Sequence, residues 1–170
     1  MTQHLTVRGR SIPRHQIPAD VSVGQHLVRL ATEALGRGER PTLSAVVVSS
    51  EEVTLLALPE AGDRHGFLSG LTTVPGTEAV GLMGIAHRRT RSGAKVPALL
   101  CFLEWTDCGW WMSEAILDAE GALLAGSVST RSAQAGDALP EGVGRWWSHA
   151  RRSGLEARLA VDAPSLQAVH

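Results

Sequence analysis

From residue 79 to residue 130 the chain repeats one pattern: a short apolar segment, a few polar residues, then another apolar segment. Segments 79–86, 96–105, 110–117 and 122–130 are separated only by 87–95, 106–109 and 118–121. Connections this short have no room for crossover helices, so the pattern predicts consecutive antiparallel hairpins. Segment 96–105 is apolar on both of its sides, which places it inside the sheet with cover on each face. Gly81 and Gly84 stand within the first strand, where a missing Cβ marks a bulge or a close backbone approach.

An earlier hairpin joins them. Residues 43–49 carry three successive valines, 53–58 form a second apolar run, and Ser50-Glu51-Glu52 is the polar turn between. Ser22 and Gln25 have the spacing of a capping box. Leu27, Leu30, Ala31, Ala34 and Leu35 then recur at helical spacing, with His26 and Arg29 on the polar side. Residues 61–74 are weakly helical. A last helix has Pro140 and Glu141 in its first turn, an apolar face of Leu139, Val143, Trp146, Trp147 and Ala150, and Gly154 as its stop.

At 170 residues, 44% hydrophobic and 19% charged, the chain is one domain with enough apolar surface for a core. The expected fold is α+β: a mainly antiparallel sheet of about five to six strands, with an N-terminal and a C-terminal helix packed on it. The domain spans 20–155. Residues 1–19 show no period and read as a flexible arm, and 156–170 as a tail.

The net charge of −1 gives no general attraction to nucleic acid or to an anionic membrane. With no apolar segment of membrane-spanning length and no signal-type h-region, the expectation is a cytoplasmic protein without a membrane partner. The two cysteines, Cys101 and Cys108, make no secreted-type disulfide framework. The seven histidines are scattered, with no metal-ligand spacing, and there is no phosphate loop or nucleophile elbow. No metal or cofactor is expected.

Three surfaces remain as candidates. All five tryptophans lie after residue 104, and Trp110-Trp111 and Trp146-Trp147 are adjacent pairs. Trp110 and Trp111 must point to opposite faces of a strand. Exposed, such rings make an interface; packed between hairpin and last helix, they make an aromatic core. The second surface is the basic connection with Arg88, Arg89 and Arg91, which suits an anionic partner. The third is chemical. Setting Trp105 opposite Trp110 puts Cys101 opposite Glu114 among apolar side chains, where a carboxyl can serve as acid or base.

The expected function is therefore a non-catalytic protein-interaction or assembly module. It works through the tryptophan-rich hairpin and C-terminal helix, with a protein partner or a second copy. The alternatives are a small hydrolase using Glu114, Cys101 and His87, and a nucleic-acid-binding accessory protein using residues 87–95.

Overall fold

The computed structural model describes residues 3–7, 9–60, 62–134, 143–155 and 157–161. The fold is α+β. Its sheet has seven strands: β2 (Gly9–Pro13), β3 (Ser44–Ser49), β4 (Glu52–Ala57), β5 (Thr77–Arg89), β6 (Lys95–Trp105), β7 (Trp110–Ile116) and β8 (Ser129–Ala133). They lie in the order β2-β4-β3-β5-β6-β7-β8, and every neighbouring pair is antiparallel. A separate parallel pair joins β1 (Gln3–Val7) to β9 (Ala157–Val161).

Helices cover both faces of the sheet. Helix α1 (Val23–Gly36) starts with the expected capping box: the Gln25 backbone N–H donates to Ser22 Oγ at 3.1 Å, and the Ser22 N–H donates to Gln25 Oε1 at 3.0 Å. Its Val23, Leu27 and Ala31 meet Val46, Val48, Met83, Leu99, Cys101 and Leu103. Helices α2 (Arg64–Leu71) and α3 (Trp146–Ser153) cover the opposite face, against Ala45, Val47, Val80, Leu82, Phe102 and Met112. Alternate residues of β3 and β6 thus enter two different cores. This explains why those strands read as continuous apolar runs rather than alternating ones. Each large side chain fully buried in this way is worth about 1.5–3 kcal/mol.

Gly81 shows why β5 needs glycine: a Cβ there would strike the Phe102 carbonyl oxygen of the neighbouring strand. Among the described residues no helix is long and apolar enough to cross a membrane.

Several expectations need correction. Residues 9–16 are not a loose arm. Gly9–Pro13 is an edge strand on β4, and Arg14 holds its end by donating to Ser49 O and Glu78 Oε2, each at 3.0 Å. The strand buries one apolar side chain, Ile12, so it has no alternation to read. The sheet is larger than five or six strands for the same reason. His26 is buried on α1 rather than polar-side, and burial together with the nearby Arg29 guanidinium pushes its pKa down. Residues 122–128 are turns with one isolated bridge, Leu117 to Leu123, and the last sheet strand begins at Ser129. Leu139, Pro140 and Glu141 lie outside the described residues.

The register of the β6–β7 hairpin also differs, by one residue. Trp105 N–H donates to Gly109 O at 2.9 Å, and Cys108 N–H donates to Trp105 O at 2.8 Å. Cys108 stands at φ 69°, closing a three-residue loop with a left-handed last position. Trp110 is consequently opposite Glu104, Cys101 opposite Ser113, and Glu114 opposite Leu100. A one-residue slip exchanges the faces of a whole strand relative to its partner.

Candidate functional site

The face under α2 and α3 is not wholly covered. Among the described residues, the first turn of α2 and the long β5–β6 hairpin border a cleft of about 780 Å³. Its apolar lining comes from alternate strand positions: Leu82 and Ala86 of β5, Ala98 and Leu100 of β6, and Met112 of β7. Leu43, Leu58, Leu68, Val143 and Trp146 complete that surface.

Charge enters the cleft from four elements. Arg88 and Arg89 come from β5, Glu114 from β7, Arg131 from β8, and Arg64 with His65 from the first turn of α2. Glu114 is mostly buried, with 15% of its side chain exposed, and forms an ion pair with Arg88, whose side chain is 54% exposed. Arg64, Arg89 and Arg131 have no carboxylate partner among the described residues. Arg64 donates from Nε to Pro59 O at 3.3 Å. The His65 ring meets His149 of α3 edge-on, with centroids 4.7 Å apart. The cleft thus presents three guanidiniums, from Arg64, Arg88 and Arg131, around one carboxylate and an apolar floor; Arg89 borders it one strand position on from Arg88, where the pleat turns side chains to the other face. Guanidiniums grip carboxylates through paired N–H donors in a planar fork.

The structure separates the proposed hydrolase residues. Glu114 and His87 both line the cleft, whereas Cys101 belongs to the core beneath α1, on the opposite face of the sheet. Burial pushes the Cys101 thiol up to about 12, away from the reactive thiolate. Cys108 is partly exposed in its turn, where Arg151 Nη2 lies 2.8 Å and Ser148 Oγ 3.3 Å from its sulfur. One thiol per native chain should therefore react with Ellman's reagent, and both only after denaturant is added. Rapid native reaction at both would show that Cys101 is not sealed. Among the described residues no group of three or more candidate metal ligands comes together.

The tryptophans are mostly core. Trp110, Trp146 and Trp147 are buried. Phe102 stacks with Trp110 at 5.9 Å and meets Trp146 edge-on at 5.5 Å. Trp111 points to the other face and is half-buried beside the start of α1, where Gly24 has no Cβ to collide with the indole. Arg91 lies in the exposed hairpin turn.

Three important residues were not singled out by the sequence reading. Arg64 and Arg131 are far from each other in the chain, and only the folding of α2 and β8 onto one face joins them. Glu104 is a carboxylate inside the apolar run 96–105, which is itself a usable signal. It is wholly buried. It accepts the Arg145 backbone N–H at 2.7 Å and the Trp147 backbone N–H at 3.1 Å. The Trp147 indole N–H donates to the Glu104 carbonyl at 2.8 Å. Glu104 therefore caps the N-terminus of α3, which has no cap of its own.

Compared with protein-family models, curated proteins and solved structures, the chain matches none.

Proposed function

We propose that this chain is a non-catalytic protein-interaction domain that receives an acidic, partly apolar segment of a partner protein in the cleft. The observation that carries the reading is the lining itself: Arg64 and Arg131, without carboxylate partners among the described residues, stand with Arg88 around an apolar floor. An acidic side chain satisfies the guanidiniums, and an apolar neighbour on the same segment covers Leu82, Leu100 and Met112. The interaction surface moves from the tryptophans to the arginines, because the buried indoles of Trp110, Trp146 and Trp147 offer a partner little area.

The same facts weigh against single-stranded nucleic acid. Base stacking needs open aromatic faces, and Trp146 at the cleft is only 2% exposed. The Glu114 carboxylate also opposes phosphate within the cleft.

The test is fluorescence anisotropy with a labelled twelve-residue peptide alternating Glu and Leu. Binding should weaken at least tenfold in the Arg64→Glu/Arg131→Glu double variant and should fall as salt rises. Equal affinity in wild type and double variant would reject the cleft. Tighter binding of a labelled oligothymidylate than of the peptide would favour the nucleic-acid reading instead.

A further inference from the structure

We infer that Glu114 is a built-in competitor for Arg88, and that the partner's carboxylate takes its place on that guanidinium when the cleft fills. This rests on the binding reading above and specifies how the site selects its ligand. Glu114 stands opposite Leu100, beside Met112, on a floor that is otherwise apolar. A carboxylate in such a place is costly unless it is paired, and Arg88 is its one ion-pair partner among the described residues. Arg88 is different. It lies near the end of β5, half-exposed, where the guanidinium can turn from Glu114 to a group arriving from solvent.

Two consequences follow. The internal pair occupies a guanidinium that an acidic ligand would otherwise use. A ligand can take Arg88 from Glu114 only by bringing a carboxylate that offsets the cost of leaving Glu114 unpaired, whereas an uncharged apolar segment leaves the pair intact. A fraction of molecules with Arg88 engaged internally lowers the apparent affinity by that fraction.

The experiment uses the same Glu/Leu peptide on four full-length proteins: wild type, Glu114→Gln, Arg88→Gln and the double variant. Glutamine keeps the size and shape of glutamate while removing its charge and exchanging one acceptor oxygen for an NH₂ donor, and matching thermal melts show that each variant is folded. Glu114→Gln should bind about tenfold more tightly than wild type, and Arg88→Gln more weakly. On the Arg88→Gln background the gain from Glu114→Gln should shrink to about threefold or less, because no shared guanidinium is left to win. An equal gain on both backgrounds would mean that Glu114 acts only as a general negative charge, and would overturn the inference. Wild-type binding with no gain in Glu114→Gln would overturn it too, while leaving the cleft reading intact. Absence of binding in all four proteins would overturn the cleft reading and this inference with it.

Discussion

Replacing Glu104 by alanine should destabilise the protein by about 3–5 kcal/mol, a larger effect than any change to the arginines of the cleft. The carboxylate is wholly buried and accepts two backbone N–H groups at the start of α3. Alanine removes both acceptors at once. The Arg145 and Trp147 N–H groups are then left without partners where the helix dipole is positive, and a cavity opens between β6 and α3. For a chain of this size the melting temperature should fall by about 6–20 °C. Glu104→Gln keeps one oxygen acceptor but turns an amide NH₂ toward a donor, so it should recover only part of the loss. Urea unfolding of the three proteins checks this order. An alanine variant within about 1 kcal/mol of wild type would show that α3 does not depend on this cap.

The role of Glu104 depends on a helix more than forty positions along the chain, and such distance limits what can be read from sequence. Signals confined to a few neighbouring residues are legible. The Ser22–Gln25 box marks the start of α1. Three valines and a polar turn mark the β3–β4 hairpin, and the apolar run 96–105 marks a strand inside the sheet. Properties that depend on one backbone angle or on distant pairing are not. The β6–β7 register turns on the left-handed conformation of Cys108, which a cysteine gives no reason to expect. That single angle decides whether Glu114, beside Met112 in either case, shares a face with Cys101 or with Leu100. Edge strand β2 was hidden because it buries only Ile12. The cleft combines β5, β7, β8 and α2, so no window of sequence contains it. Arg88 and Glu114 were legible as residues of interest, but not as partners.

The second large effect should come from Trp146→Ala, and it separates the two uses to which the tryptophans could be put. Trp146 is buried at the first turn of α3, edge-on to Phe102 at 5.5 Å, and forms one wall of the cleft. Truncation removes most of an indole from a packed core that can relax only partly, which costs about 3–5 kcal/mol. An interface tryptophan would behave otherwise: alanine would weaken partner binding and leave unfolding of the isolated chain nearly unchanged. Arg152→Ala, on the exposed side of the same helix, supplies the comparison and should change stability by less than about 0.5 kcal/mol. Both variants belong in one urea series, with the Glu/Leu peptide titrated onto each under conditions where it is folded. If Trp146→Ala unfolds at the wild-type midpoint yet fails to bind, the indole is a contact surface after all. If stability falls as expected while Arg64→Glu/Arg131→Glu loses binding at wild-type stability, the division is the one the structure implies. The aromatic rings then hold α3 on the sheet, and the guanidiniums that this packing leaves at the open end of the cleft meet the partner.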